Sequence, residues 1–530
     1  MAGYFSTAYL MLMFCIYPFY IEKGYTNIGE AKNRFFVAVS LAAFGVLSVC
    51  YGAEWFRRIK ENKKNGQAYL IDWTRVSIMD LLVLCYATVI FLSYVFSFDR
   101  GEALWGTRGW YMGAVPILLL CALYFLISRL WQGERVVIYG IIVASALVFL
   151  LGVCNRFSVY PFTFDGAQPD FISTLGNINW FCGFLSVTAS VGVVLFVVKG
   201  DCLRKFIGAV LYVLITFMAG FAQGSDSIFL WYGAVFFLLL WISLERKEYL
   251  LRWFFLVFIW GISAQLVRGL RILTVDKYNY DTGGFCGYFT DSSLSLWIAA
   301  AALIGGIVVS LQLIRKKDIF LKSRNNAQDD GSVCKGNIRL IGMVRKELLF
   351  LGCFLIAGYL ALALIHTKWG LSFLQGKDWF VLDENWGDGR GVTFFAGFKI
   401  WWEADFLHKL IGVGPDCFSV AAYEIPSLAT MLRAEFGSAR LTNAHNEILT
   451  ALANTGVLGV SFYLGILIHG IVKFVKAGKE NCLLYAFSAC LFGYLIHNMV
   501  SFAQVLNFPY IFLILGMGES MLRNRKIDDL

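Results

Sequence analysis

The stretch Thr442-Asn-Ala-His445-Asn-Glu-Ile-Leu-Thr-Ala-Leu-Ala-Asn-Thr-Gly456-Val-Leu-Gly459-Val-Ser-Phe-Tyr463 decides how the chain reads. It follows a long polar segment and turns into an apolar helix. Thr442 or Asn443 is suited to cap that helix, since a short polar side chain satisfies the free N–H groups of a first turn. His445 then falls about one turn inside. Eleven residues on, Gly456 returns to nearly the same face, with Gly459 beside it. A rim histidine above a stripe bare of side chains suits an amphiphile whose head stays at the rim and whose tail lies along the helix. The same glycines also suit plain helix packing.

Working outward, the composition sets the compartment. Of 530 residues, 58% are hydrophobic and only 15% charged, which no soluble domain needs. The expectation is an all-α polytopic membrane protein embedded in the lipid bilayer. About fourteen apolar windows of membrane-spanning length are present, near 4–21, 35–55, 76–96, 109–129, 136–154, 177–198, 206–222, 227–244, 253–273, 294–314, 348–366, 445–471, 482–504 and 508–522. The first lacks a basic leader and a small-residue cleavage site, so it reads as a retained helix. Lys and Arg gather in alternate short loops, most densely in 315–347, which places those loops and both termini in the cytoplasm. The net charge of +9 is accounted for in this way and calls for no nucleic-acid partner. Three parts follow: eleven helices over 1–366, one large extracytoplasmic loop over 367–444, and three last helices over 445–530.

Cysteine and metal signals are weak. Most of the thirteen cysteines lie in apolar runs, where cysteine behaves as a small hydrophobe. Cys286 and Cys417 fall in outer loops, yet their spacing gives a disulfide no support. No cluster has zinc spacing, and no cofactor is expected.

Outer loops as long as 367–444 are uncommon unless they work. This one holds Arg390, His408, the turn Gly412-Val-Gly414-Pro-Asp416-Cys-Phe418, and an aromatic, amphipathic run at 394–407 suited to lying on a membrane. Arg390 has two sequence readings, a phosphate fork or a salt bridge to Asp383 or Asp388. Asp416 reads as a turn former, Asn177 and Asn179 as caps of the 177 span, and His497-Asn498 as a helix–helix contact.

Taken together, His445-Asn446, nine residues, and Gly456-Val-Leu-Gly459 resemble the signature of the O-antigen ligase and O-antigen polymerase superfamily. Gly412–Phe418, Gly389-Arg390 and Gly176-Asn-Ile-Asn179 are similar to that family's glycine-rich turn, loop-opening arginine and middle-span element. The resemblance implies a membrane glycosyltransferase that takes a glycan from a polyprenyl-diphosphate-linked oligosaccharide donor and passes it to a sugar hydroxyl of a glycan acceptor on the outer face of the membrane. His445 and Arg390 would be catalytic, His445 as base or as diphosphate ligand. Asn446, Gly456, Gly459 and Gly414 would contact substrate. The transfer would need no metal, invert the anomeric centre, and run beside other polysaccharide-assembly membrane proteins. Many family members carry a Ser-Arg pair where this chain reads Gln223-Gly-Ser-Asp-Ser227, so a second cation must come from elsewhere; Arg268 and Arg271 are the candidates, with Arg108 and Arg156 at other outer rims.

The leading expectation is polymerisation of repeat units for a capsule, exopolysaccharide or O-antigen. A ligase that moves a finished glycan needs the same site. A polysaccharide flippase would show two related halves around a polar central cavity, and this chain concentrates its polarity in one loop. A non-catalytic scaffold is the remaining class.

Overall fold

The computed structural model describes residues 2–64, 76–168, 170–199, 203–275, 284–323, 331–377 and 380–528. In order, the helices are α1 (Ala2–Met11), α2 (Ile28–Lys64), α3 (Ile78–Val95), α4 (Arg100–Trp105), α5 (Ala114–Leu130), α6 (Arg135–Arg156), α7 (Ile178–Val198), α8 (Leu203–Ala222), α9 (Ile228–Ser243) and α10 (Lys247–Leu273). They continue as α11 (Gly284–Asp291), α12 (Leu294–Ser323), α13 (Gly331–Trp369), α14 (Trp386–Glu403), α15 (Phe406–Ile411), α16 (Phe418–Glu424), α17 (Pro426–Phe436), α18 (Glu447–Ala477), α19 (Cys482–His497) and α20 (Phe508–Asp528). Among the described residues the only sheet is a two-residue antiparallel pair, β1 (Phe171–Ile172) against β2 (Gly176–Asn177).

This is an all-α membrane architecture. Each apolar window read from the sequence falls on a helix. Among the described residues nine helices are long and apolar enough to cross a bilayer, and four further apolar helices are shorter. The bundle centres on α7, buried along nearly its whole length, because Gly183, Ser186, Ala189, Ser190 and Gly192 let neighbours close in. A methyl group on Gly183 would meet the Asn507 amide, and one on Gly192 the Tyr212 ring.

Charged clusters mark one end of the bundle. Asp80, the capping-box partner of the N-cap Ser77 of α3, takes Arg129 at 3.2 Å together with Arg523 at 2.5 Å. Glu245 takes Arg345 at 2.8 Å and Lys479 at 2.9 Å. Three stretches read as loops on the same side of the membrane therefore meet. Arg75, in the expected first basic loop, and residues 324–330 of the 315–347 loop lie outside the described residues; what is described of 315–347 is helical.

At the other end the 367–444 segment is not a loose loop. Helices α14, α16 and α17, with Ala103 of α4 and Ala453 of α18, close around a second apolar core that includes Val392, Ala396, Ile400, Val413, Phe418, Leu428 and Leu432. The expected single helix over 394–407 is broken: α14 ends at Glu403, and Asp405 caps α15 through the His408 N–H at 3.0 Å. Val392, Ala396 and Ile400 face that core, while Phe395, Phe398 and Trp402 face outward.

Two further expectations change, the 482–504 span and the cap of α18, while Cys286 and Cys417, whose spacing gave a disulfide no support, are unpaired. The 482–504 window is helical only to His497; residues 498–507 form a turn. Cys286 and Cys417 are both free, one bonded to the Phe221 carbonyl at 3.3 Å and the other to the Asp99 carbonyl at 3.5 Å. The cap of α18 is Asn446, not Thr442 or Asn443, so His445 precedes the helix and does not sit inside it.

Candidate functional site

The site is built on a broken helix. Within α18, Gly456 has φ 64° and ψ −172°, outside helical space. The Tyr463 hydroxyl nevertheless donates to the Glu447 carboxylate, sixteen residues back. On a straight helix those residues would stand about 24 Å apart, beyond the reach of both side chains. The segment 447–455 therefore folds back as a half-helix against 457–477. The longer leg alone, at about 1.5 Å per residue, covers a bilayer core of about 30 Å.

Gly456 must be glycine because another backbone fills its side-chain position. A Cβ there would lie 2.4 Å from the Leu410 carbonyl; a Cβ on Gly412, φ 78°, would lie 2.2 Å from the Asn454 carbonyl carbon. The two glycines interlock, and the turn hydrogen-bonds across the break: Val413 N–H to Ala453 at 3.0 Å, Gly414 N–H to Asn454 at 3.1 Å. Ser93 of α3 takes the same Asn454 carbonyl at 2.9 Å. The expected open stripe below His445 is thus occupied by protein. Gly456 and Gly459 are buried, and Gly459 faces the Thr455 side chain of its own helix. Gly414, φ 126°, packs on Ser97 and Cys417.

The N-terminus of the half-helix is latched to the end of α19. Asn446 caps Leu449 N–H at 3.0 Å and donates to the Met499 carbonyl at 2.9 Å. Glu447 N–H donates to the Asn498 carbonyl at 2.9 Å. The buried Glu447 carboxylate accepts from Tyr463, from Tyr494 at 2.8 Å and from Asn498. Asn446 spends both ends of its amide on the frame.

This latch leaves His445 in the left-handed region, φ 48°, a conformation that non-glycine residues hold chiefly where the surroundings impose it. Its N–H donates to Asn443 Oδ1 at 2.9 Å, and its ring stands edge-on to Phe502 at 5.4 Å. From the other side, Thr393 of α14 donates to the Ala444 carbonyl at 2.9 Å, and Gly397 meets Ala444 and Leu449 with no room for a side chain. Arg390 lies one turn before Thr393 on the same helix. Its Nη1 donates to the Gly387 carbonyl at 2.6 Å, and its charge acts on both His445 and His497. Burial first, and the Arg390 guanidinium second, pull the His445 imidazole down to about 4, so it is neutral at pH 7.

His445 opens onto a cavity of about 320 Å³. Trp110, Trp180 and Phe502 form aromatic walls, with Trp110 edge-on to Trp180 at 5.5 Å and to Phe502 at 4.8 Å. Asn177, Asn179, Thr442, Asn443 and Ser501 add polar groups, and Arg440 adds a cation stacked on Tyr423 at 4.9 Å. The Gly176–Asn179 element and the His445 element, distant in sequence, thus line one chamber. Trp110 ties its walls together by donating to Thr442 at 2.9 Å.

The other arginines go elsewhere. Arg271 pairs with Asp291 of α11, and neither Arg268 nor Arg271 lines the cavity. Arg108 pairs with Glu30. Arg156 is fully buried and donates to the Gln223 carbonyl at 2.7 Å, propping the turn whose Ser225 hydroxyl donates to Asn179 at 2.8 Å. Sequence reasoning passed over Arg440, the two tryptophans and Glu447. Only Glu447 left a signal, as a lone carboxylate at the head of an apolar run.

No family model matches the chain, and no curated protein matches it.

Proposed function

We propose that this protein is a membrane glycosyltransferase that takes a glycan from a polyprenyl-diphosphate donor and joins it to a sugar hydroxyl at the outer face of the membrane, polymerising polysaccharide repeat units. The observation that carries this reading is that His445, just ahead of α18, lines an aromatic and amide-lined cavity within reach of the charge of Arg390 on α14, which does not itself line the cavity. Aromatic faces with a few amides and hydroxyls suit sugar rings, and arginine suits phosphate oxygens. The site lies at the end of α18 away from the Lys479–Glu245 cluster, which the basic loops assign to the cytoplasm.

In the reaction, the acceptor hydroxyl oxygen bonds to the anomeric carbon as the bond from that carbon to the diphosphate oxygen breaks. The electron pair leaves with polyprenyl diphosphate, whose charge Arg390 and Arg440 receive. The hydroxyl proton passes to the unprotonated nitrogen of His445. A free imidazole at about 4 is a weak base. Diphosphate charge placed against Arg390 offsets the smaller, electrostatic part of that depression and leaves the larger part, burial, in place, so donor binding moves the basicity of His445 upward. Direct displacement inverts the anomeric centre. Asn446, Gly414, Gly456 and Gly459 serve this site through the frame that holds His445.

The test is purified protein in proteoliposomes with a polyprenyl-diphosphate oligosaccharide. Released polyprenyl diphosphate and lengthened glycan are expected. Movement of the donor across the bilayer with neither product would make the protein a transporter; no change at all would leave it a scaffold.

A further inference from the structure

We infer that the chamber beside His445 takes an acidic sugar, and that Asn177 and Asn179 determine this by offering their amide N–H groups to the carboxylate of a hexuronic acid; this rests on the glycosyl-transfer reading above. The inference starts from how the side chains of the wall spend their hydrogen bonds. Asn177 Oδ1 accepts the Asn179 backbone N–H at 2.9 Å and so caps α7. A backbone N–H only donates, so the bonded atom is the amide oxygen and the NH₂ is left over. Asn179 Oδ1 accepts the Ser225 hydroxyl at 2.8 Å, which leaves its NH₂ over in the same way. Thr442 Oγ1 accepts twice, from Trp110 at 2.9 Å and from Asn443 at 3.2 Å, and keeps its own hydrogen to give. Asn443 spends both ends of its amide, on Thr442 and on the His445 N–H. The neutral His445 ring offers one nitrogen of each kind, and the Ser501 hydroxyl serves as either. All of these but Ser225 line the chamber, and Asn177 and Asn179 are half-buried there.

The wall therefore holds hydrogen-bond donors in excess. A sugar hydroxyl does not answer that excess, because it brings one hydrogen with each oxygen. An acetamido group has the same balance, one N–H to one carbonyl. A carboxylate brings two oxygens and no hydrogen. Charge agrees: among the described residues that line the chamber none is Asp or Glu, and the field of Arg440 favours a sugar carboxylate as it favours the diphosphate. Trp110, Trp180 and Phe502 supply apolar faces for the sugar ring. With His445 taking the proton of the acceptor hydroxyl, the sugar that shares its chamber is the acceptor. The two asparagines thus act on which acceptor is chosen.

Saturation-transfer magnetic resonance on the full protein in detergent tests this. The probes are methyl glucuronide and methyl galacturonide, against the matching methyl glucoside and galactoside and methyl N-acetylglucosaminide. At least one hexuronoside should bind about tenfold tighter than its neutral partner, the effect of one polar group met or unmet. Asn177→Asp keeps the capping oxygen and puts a second carboxylate oxygen in place of the NH₂. It should erase the preference, change neutral-sugar binding by less than about twofold and leave the thermal midpoint in place. Asn177→Ser, which keeps a capping oxygen and adds no charge, should erase the preference too. Equal binding of acidic and neutral sugars by the wild type, tighter binding of the N-acetylglucosaminide, or a preference that survives either variant overturns the inference. If a hexuronoside is preferred but a hexuronate-containing donor yields no polyprenyl diphosphate, the transfer reading fails and the acidic-sugar chamber stands. If neutral repeat units are joined as fast as acidic ones, the chamber's preference fails and the transfer reading stands.

Discussion

Two corners of the outer end carry arginines with similar sequence credentials, and they are built to opposite purposes. At the α10–α11 corner Arg271 meets a carboxylate, Asp291, and its charge is matched within the protein. At the α14–α18 corner the Arg390 charge acts on His445, which lines a cavity. An arginine whose field reaches a cavity-lining imidazole sits where an arriving anion changes the chemistry of that ring. The difference lies in what the chain brings across from elsewhere, not in the arginine or its position on a helix.

The sharpest way to break this comparison is to remove either member of the working pair. His445→Ala should cut transfer by about 10²–10⁴-fold, the usual range for a lost general base. Arg390→Ala should be of the same order, and Arg390→Lys should recover little, because an ammonium lacks the planar fork. Released polyprenyl diphosphate per protein inserted in the membrane is the measurement. Wild-type release from either alanine variant would remove the α14–α18 corner as the site.

Next in size is the frame beneath it. Gly456→Ala puts a methyl group onto the Leu410 carbonyl and an L-residue at φ 64°. Strain and overpacking together should cost about 3 kcal/mol, seen as a lower thermal midpoint in detergent and lost transfer. Gly459→Ala meets only the Thr455 side chain and should cost less. Equal midpoints for the two variants would mean that the interlocked turn does not hold the half-helix.

The fold class and the run of apolar helices were legible because a membrane span is a local signal about twenty residues long. The pairing of His445 with Arg390 was legible only through resemblance. The break at Gly456 was not, since a glycine in an apolar helix reads as packing, and its need for positive φ is set by the Gly412 turn. Nor could the sequence reveal that Glu447 would be met by Tyr463, Tyr494 and Asn498. The cavity wall is still less local: Trp110 and Thr442, which share a hydrogen bond, stand 332 residues apart. Gly456 and Gly459 were read as an open stripe or as helix packing, and the structure fills the position beside Gly456 with the Leu410 backbone: a missing side chain admits a backbone as readily as a lipid tail.

A smaller effect tests how the glycine turn is docked. Asp416, at φ 59°, accepts from Thr107 N–H at 2.8 Å and Met112 N–H at 3.1 Å through one oxygen. Burial outweighs those bonds and pushes its carboxyl up to about 7. Between the ordinary carboxylate range and pH 7 the folded protein keeps a proton that the unfolded chain has lost. Stability should therefore fall as pH rises from about 4 to about 7. Asp416→Asn, whose amide oxygen is able to take both N–H groups, should flatten that dependence and leave transfer near wild type. A midpoint that falls equally in both proteins would assign the dependence to another group.

The smallest effect sharpens the comparison from its quiet side. Arg268→Ala and Arg271→Ala, singly and together, should change transfer less than twofold, because neither residue lines the cavity and neither acts on His445. Arg271→Ala should cost some stability, since it strands Asp291 at the end of α11, but an ion pair that exposed contributes little, about 1 kcal/mol or less. Arg440→Ala is the informative partner: at the cavity mouth it should weaken donor affinity while leaving the rate at saturation less affected. If the double variant at 268 and 271 loses transfer and Arg440→Ala does not, the diphosphate is received at the α10–α11 corner, and the two corners exchange roles.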